Sequence, residues 1–383
     1  MRLEFATAGR ILFGSGMIAR LPAIACEFGK RALFVTSQNR DRARPVARAL
    51  TAEGLELIWF SISGEPVLED IRQGVQAARQ RCDLVIGLGG GSAIDAAKAI
   101  AALAPNSGEP LDYLEVIGKA QQLEQEPLPF LAIPTTAGAG AEVTRNAVLG
   151  SPEHGVKVSL RSARMLAKVA LVDPDLTLSL PPEITAYTGL DAFTQLLESY
   201  VSQRANAMTD LFCVEGLKRV RISLLRAFHD GNDRDARESM SFASLLGGMA
   251  LANAGLGVVH GFAAPLGGML EAPHGALVAA VLPHGVEANI HALRKRASNS
   301  ETLGRYQHLA RLLTGDPHAQ AEDLAAWISQ LCGRLGVLGL RALGLEPERI
   351  PELVEKAARA SSMHANPIVL TEEELVSIAE RAL

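Results

Sequence analysis

The chain has 383 residues, of which 48% are hydrophobic and 21% are charged, a composition that excludes an intrinsically disordered protein. A chain of this length is expected to form two or three domains, with two the simpler arrangement. The net charge of −5 and the 4% aromatic content argue against nucleic-acid binding, which relies on basic patches and stacking rings.

Short apolar runs alternate with helical periods along the first 178 residues. This alternation predicts an α/β domain in which helices cover a parallel sheet. Predicted strands cover residues 31–37, 57–63, 84–88 and 129–134, with additional short strands at 147–149, 157–160 and 169–172. Predicted helices cover residues 45–53, 68–81 and 92–103.

The period changes near residue 179, where Pro181 and Pro182 precede Glu183 in a typical helix start. Only helical periods follow, and Thr371 with Glu374 forms a capping box before the last helix. We therefore predict an α/β domain over residues 1–178 and an all-helical domain over residues 179–383. Its helices are predicted at residues 183–202, 207–228, 234–253, as a pair within 256–293, and at 300–313, 321–334, 351–360 and 371–381.

One uncharged stretch, residues 239–270, is long enough to span a membrane. It contains seven glycines and no basic cluster flanks it, so we expect tightly packed buried helices of a soluble protein. The start of the chain is charged and lacks an apolar segment, which argues against a signal peptide and favours a cytoplasmic location without a membrane partner. Four cysteines without CxxC spacing argue against disulfides and thiolate zinc sites.

A glycine run, Gly89, Gly90 and Gly91, follows a predicted strand and opens a predicted helix. Consecutive glycines let the backbone approach a pyrophosphate, and the helix N-terminus offers free N–H groups. Ser92 either caps the helix or bonds a phosphate oxygen, and Asp95 in the first turn would favour the helix dipole. Ser92 also replaces the last glycine of GxGxxG, so the pattern indicates nucleotide binding with a merely tight turn as the alternative.

A second loop, PTTAGAGAEVT, begins where the next strand ends. Its hydroxyls and small residues suit a ligand at the carboxyl edge of the sheet, although an ordinary loop would have the same composition. The candidate ligand contacts in this loop are Thr135, Thr136, Gly138 and Thr144.

GGGSAID followed by PTTAGAGAEVT resembles the iron-containing (group III) alcohol dehydrogenases. GRILFGSG is similar to the family's first hairpin, VDPDL to its interdomain segment, and GLDAFTQ, VVHGF and APHG to its metal-binding helices. The resemblance covers the whole chain and implies a dehydroquinate synthase-like fold, with a Rossmann-like domain, a helical domain and a cleft between them. It also implies an NAD(P)-dependent alcohol dehydrogenase or aldehyde reductase that forms a homodimer or a larger homo-oligomer.

The resemblance further implies a divalent metal, iron or zinc, bound by Asp191, His260 and His274. Gln195 stands where the family has a fourth ligand, a histidine, and Ala264 where it has a histidine suspected of relaying protons. Three protein ligands are sufficient for a catalytic zinc site. Gln195 either adds a weak carbonyl oxygen or bonds the metal-bound water. His284 and His291 are interpreted as structural.

The resemblance implies cofactor contacts from both loops and from Ser37, Asp95, Lys157 and Leu176. Ser37 stands where the family often has an aspartate that bonds the adenosine ribose. Loss of that carboxylate removes repulsion against a 2′-phosphate, with which Arg40 can pair unless it is merely solvated. We therefore expect NADP to be tolerated beside NAD.

Three alternatives remain open beside dehydrogenation of a small alcohol, diol or hydroxyaldehyde. The first is a metal-independent reductase of the maleylacetate reductase type. The second is a lyase similar to dehydroquinate synthase, which has glutamate in place of Asp191. The third is a catalytically degenerate nucleotide-binding protein.

Overall fold

The computed structural model describes residues 3–383 and divides them into two compact units. One unit is Phe5–Leu180 and the other is Pro181–Leu383, with residues 3 and 4 grouped with the second. The predicted change of period near residue 179 falls two residues before this division.

The first unit contains a six-stranded sheet in which every neighbouring pair is parallel. In chain order the eight strands of the unit are β1 (Ile11–Phe13), β2 (Arg31–Ser37), β3 (Glu56–Ile62), β4 (Leu84–Gly89), β5 (Phe130–Pro134), β6 (Asn146–Ser151), β7 (Val156–Arg161) and β8 (Val169–Val172). The sheet order is β1-β8-β5-β4-β2-β3. The predicted parallel sheet is thereby confirmed.

Four α-helices accompany these strands in the described part of the first unit: α1 (Leu21–Cys26), α2 (Arg44–Ala52), α3 (Leu68–Ala78) and α4 (Gly91–Leu103). The central strands are buried on both faces, as Phe34, Ile86 and Leu131 show, each with no exposed surface. Strands of this kind read as continuous apolar runs, which is why the sequence located them well.

The short strands predicted at 147–149 and 157–160 are present as β6 and β7, which pair with each other in a separate antiparallel hairpin. One expectation for this unit was wrong. The segment likened to a first hairpin contributes β1, which pairs in parallel with β8 at the edge of the sheet. This difference concerns the choice of pairing partner, which depends on tertiary contacts that a local run of apolar residues does not specify.

The second unit is helical throughout, as predicted. Its α-helices in the described chain are α5 (Pro182–Val201), α6 (Ala207–His229), α7 (Arg234–Ala254), α8 (Val258–Met269), α9 (His274–Arg296), α10 (Glu301–Thr314), α11 (Ala321–Arg334), α12 (Ile350–Ala358) and α13 (Glu372–Arg381). Helix α13 begins with the predicted capping box of Thr371 and Glu374. Helix α5 is almost completely buried, because only its first residues reach the surface.

The uncharged stretch at residues 239–270 forms parts of two helices rather than one span. Helices α7 and α8 meet at a bend of 98° near Gly255. By length and composition alone α9 is also apolar enough to cross a membrane, but 78% of its most apolar window is buried inside the structure. Burial of that extent is typical of a core helix.

Candidate functional site

Three helices of the second unit bring Asp191, His260 and His274 together. Asp191 lies in the middle of α5, His260 in the first turn of α8, and His274 at the start of α9. His260 Nε2 is 3.2 Å from Asp191 Oδ1, and His274 Nε2 is 3.9 Å from the same oxygen. One ligand atom from each residue lies within 4.8 Å of the other two. The three residues named from the sequence thus form one cluster.

A glycine allows α9 to start this close to α5. A Cβ atom at Gly275 would stand 2.5 Å from the carbonyl oxygen of Tyr187, one turn before Asp191. Any larger residue would therefore push the start of α9, and His274 with it, away from α5.

The electrostatics of the cluster favour a cation between its members. Burial opposes a charge on His260, but hydrogen bonds to Asp191 and Glu198 outweigh it and raise its pKa to about 9. Burial likewise opposes ionisation of Asp191, but the hydrogen bond to His260 and the nearby His274 lower its pKa overall. A divalent metal would take the place of the proton held between these groups.

The cluster has a buried side and an open side. The side chains of Asp191 and His260 are 6% and 7% exposed, whereas that of His274 is 44% exposed. Solvent or a small substrate can therefore approach from the His274 side, as an open catalytic metal position requires.

Gln195 lies one turn after Asp191 on α5 and is buried. Its side chain forms a hydrogen bond with Asp191, and this bond also lowers the pKa of Asp191. Its Oε1 atom is buried and has no hydrogen-bond partner among the described residues. A buried amide oxygen without a partner is costly, and a cation or an ordered water would satisfy it. The residues present therefore fit a divalent metal, as one carboxylate, two imidazoles and an adjacent amide oxygen.

Other polar positions on these helices lie outside the cluster. Ala264 is half-buried one turn after His260 and offers no titratable group. On α9, His291 is exposed, and the Nδ1 atom of His284 is buried without a partner among the described residues. Neither histidine belongs to the group of metal-ligand atoms.

The glycine turn of the first unit joins β4 to α4. A Cβ atom at Gly89 would stand 2.7 Å from that of Ala93, so this position closes the strand against the helix. Helix α4 begins at Gly91 with Gly90 as its N-cap, and no side chain caps it. The N–H groups of the first turn thus lack a side-chain acceptor, which suits a phosphate.

Two expectations about this turn need correction. Ser92 does not cap α4, because it lies inside the helix after the Gly90 cap. Asp95 lies beyond the first turn, and its Oδ2 accepts a hydrogen bond from the Val148 backbone N–H at 3.0 Å. Asp95 therefore ties α4 to β6, and its contact with a cofactor stays a prediction.

The second loop lies against the glycine turn. The backbone N–H of Thr135 donates to the Gly89 carbonyl at 2.9 Å. Cβ atoms at Gly90 and Gly91 would stand 3.4 Å from Thr136 and 3.1 Å from Ala139. Thr135 and Thr136 thus lie beside the glycine turn at the end of β4 and β5. Ligand contacts from these residues and from Gly138 stay a prediction.

Lys98, which the sequence reading did not single out, fastens this second loop. Its buried ammonium donates to the Ala141 carbonyl at 2.7 Å, to Thr144 Oγ1 at 2.8 Å and to the Asn146 carbonyl at 2.7 Å. Thr144 is consequently buried and already engaged by the protein. The sequence signal for this contact is a single lysine in an alanine-rich, buried helix. Because lysine is rarely fully buried without partners, such a lysine predicts that other residues bind its ammonium group.

The remaining predicted cofactor residues lie at separate places in the first unit. Ser37 is exposed at the end of β2, and its backbone nitrogen is 3.9 Å from where a Cβ at Gly89 would stand. Lys157 on β7 forms an ion pair with Glu65. Leu176 packs against the apolar core. Contact of these three residues with a cofactor stays a prediction.

Two family models account for most of the chain. The model for iron-containing alcohol dehydrogenase matches residues 8–174. The model for the C-terminal part of the Fe-containing alcohol dehydrogenase family matches residues 185–383. This chain belongs to the iron-containing alcohol dehydrogenase family. The family and the fold predicted from the sequence are thereby confirmed.

Individual relatives of this family agree over nearly full length. Alcohol dehydrogenase 4 of Saccharomyces cerevisiae (strain YJM789) is 34% identical over 359 residues, 92% of this chain and 91% of the relative. The crystal structure of 1,3-propanediol oxidoreductase has a TM-score of 0.92 and 31% identity over 100% of both chains. The sulfoacetaldehyde reductase of Bifidobacterium kashiwanohense, solved with NAD+, has a TM-score of 0.87 and 29% identity over 99% of this chain and 98% of that one.

Glu142, in the second loop, gives a prediction about stability and pH. Burial raises its pKa to about 7, although Lys98 attracts its charged form. In the unfolded chain the group titrates near 4.5. The unfolded state therefore loses this proton first, and the free energy of unfolding falls as the pH rises from about 4.5 to 7.

We expect Glu142→Gln to abolish this contribution, so that the variant gains up to about 3 kcal/mol over the wild type between pH 5 and pH 8. Urea unfolding in a Trp327→Phe background, with Trp59 reporting on the first unit, measures it. Glu153→Gln, which changes an exposed carboxylate, is the matched control. Equal pH dependence in both variants would contradict the assignment.

Proposed function

We propose that the protein is an NAD(P)-dependent, metal-assisted alcohol dehydrogenase or aldehyde reductase for small alcohols, diols or hydroxyaldehydes. The observation that carries this proposal is the convergence of Asp191, His260 and His274 from three helices, with one side of the cluster open. The named relatives act on an alcohol, a diol or an aldehyde, in agreement with this reaction class.

Asp191, His260 and His274 would hold the metal, with Gln195 beside them. When bound, the metal polarises the substrate carbonyl or lowers the pKa of the alcohol, and the nicotinamide cofactor accepts or supplies the hydride. The overall reaction converts an alcohol and NAD(P)+ into an aldehyde, NAD(P)H and one proton. The protein supplies position: the buried side of the cluster fixes Asp191 and His260, and the exposed edge of His274 faces the incoming substrate.

The glycine turn and the second loop would hold the cofactor. The uncapped first turn of α4 supplies N–H donors for the pyrophosphate, and Ser92 supplies a hydroxyl. The glycines leave room for close approach of the phosphates, since Cβ atoms at Gly90 and Gly91 would fill the space beside Thr136 and Ala139.

The chelation test separates this proposal from a metal-independent reductase. We expect the purified protein to contain about one equivalent of a divalent metal per chain, and a chelator to abolish oxidation of NAD(P)H by short aldehydes. Asp191→Asn should lower kcat/KM at least 100-fold with loss of metal, because it removes the only anionic ligand. Turnover that resists the chelator would favour the metal-independent reductase, and a metal-free, inactive wild type would favour the degenerate protein.

Arg40 supports the further proposal that NADP(H) is accepted beside NAD(H). Its guanidinium stacks over the Trp59 ring at 5.1 Å, and its Nε atom donates to Ser61 Oγ at 3.0 Å. These contacts hold the cation three residues beyond Ser37, while its two terminal amino groups have no hydrogen-bond partner among residues 3–383. A 2′-phosphate would satisfy them.

Arg40→Ala should therefore lower kcat/KM for NADPH about tenfold and leave that for NADH within twofold, since one charge-assisted contact is lost. Steady-state kinetics with both cofactors measure the effect. Arg48→Ala, at an exposed cation on α2, controls for the general loss of positive charge. A parallel loss with both cofactors would show that Arg40 does not read the 2′-phosphate.

Ala264 implies that the proton leaves by another route, for which we propose ordered water or the nicotinamide ribose hydroxyl. Ala264→His would place a titratable group one turn after His260, so kcat should acquire a new titration near the usual histidine pKa. The pH dependence of kcat in the two proteins measures this, with Ala264→Asn as the polar, non-titrating control. A pH profile unchanged from the wild type would argue against proton transfer at this position.

A further inference from the structure

We propose that Glu198 is the positioning residue that fixes the imidazole of His260 for metal binding. The inference deepens the proposed metal site and rests on it. Glu198 Oε2 accepts a hydrogen bond from Nδ1 of His260 at 2.7 Å. The other ring nitrogen, Nε2, is thereby left facing Asp191 at 3.2 Å.

Glu198 also holds the backbone that carries His260. Its Oε1 accepts from the Val259 N–H at 2.7 Å, and its Oε2 lies 3.4 Å from the His260 N–H. These N–H groups belong to the first turn of α8, where backbone N–H groups have no acceptor within their own helix. One buried carboxylate therefore fixes both the position of the helix end and the rotation of the ring.

Glu198 can reach the start of α8 only because residue 257 is glycine. A second side chain from a distant part of the chain, Asn366, binds the same helix end. A Cβ atom at Gly257 would stand 2.9 Å from Glu198 Oε1 and 2.8 Å from Asn366 Oδ1. Asn366 Oδ1 accepts from the Val258 N–H at 2.9 Å, and Asn289 holds the Asn366 amide in place at 2.8 Å. The N–H groups of Val258 and Val259 thus both have acceptors from other elements.

Metal ligation requires a histidine nitrogen without a proton, and the hydrogen bond at the other nitrogen decides which one it is. A carboxylate oxygen at Nδ1 selects Nε2 as the ligand atom. Glutamine at position 198 would offer one acceptor oxygen and one NH2 group, which only donates. The oxygen can accept from either the Val259 N–H or the His260 Nδ1–H. The NH2 group would then face the other N–H, with which it cannot form a hydrogen bond.

The experiment compares Glu198→Gln with the wild type, using Zn2+ as the probe. Calorimetric titration of the metal-free proteins should show zinc affinity 10–100-fold weaker in the variant, the range typical for loss of an outer partner of a ligating histidine. Glu183→Gln, at an exposed glutamate on the same helix, is the control and should bind like the wild type.

A second readout needs no metal. The imidazole Nδ1–H proton of His260, assigned by comparison with His260→Ala, should exchange slowly in the NMR spectrum of the wild type and rapidly in Glu198→Gln. A merely structural glutamate would lower thermal stability without moving this signal relative to the other histidines.

The outcomes separate this inference from the proposed function. Zinc binding by the wild type with equal affinity in Glu198→Gln, or an unchanged Nδ1–H signal in that variant, overturns the role of Glu198 and leaves the metal site standing. A wild type that binds no zinc overturns the metal site, and the Nδ1–H signal then decides the role of Glu198 alone. If Glu198→Gln does not fold, absence of a slowly exchanging Nδ1–H in the wild type overturns the inference.

Discussion

Two acidic side chains on one face of a buried helix constrain the whole second unit. Asp191 and Glu198 are seven residues apart on α5, with Gln195 between them, so the three lie along one stripe. All three are buried. Charges taken out of water must be paired, so other elements have to bring partners to this stripe. The backbone N–H groups at the start of α8 pair with Glu198, and the His260 ring contacts both carboxylates. His274, at the start of α9, lies beside Asp191.

Small residues make these pairings possible. Gly257 and Gly275 stand where the starts of α8 and α9 approach the stripe, and a Cβ atom at either position would overlap with a neighbour. The 98° bend between α7 and α8 turns the first N–H groups of α8 toward Glu198. The uncharged, glycine-rich segment is therefore explained by close helix approach around a polar stripe. Within this segment, His260 is the residue that belongs to the proposed metal site.

The sequence located most helices and strands, and the family resemblance named three residues that the structure brings together. It did not identify every pairing partner, because the segment likened to a hairpin instead pairs in parallel with β8. Period changes located β2, β4 and most helices within a few residues, because those runs are apolar on buried faces. Asp191, His260 and His274 followed from motif resemblance. Glu198 was missed although its i+7 spacing from Asp191 was readable, because a capping contact across 61 residues of chain has no local signature. The assignments of Ser92 as a cap and Asp95 to a first turn failed because the helix starts at Gly91.

Gln195 stands where the family resemblance implies a histidine ligand, so metal binding is the first property to test. We propose that Asp191, His260 and His274 suffice to bind the metal, with His260 bound through Nε2. Anomalous diffraction from a zinc-soaked crystal tests this most directly. We expect one peak about 2.0–2.2 Å from a carboxylate oxygen of Asp191 and from Nε2 of both histidines. No peak there, or a peak bonded to Nδ1 of His260, would contradict it.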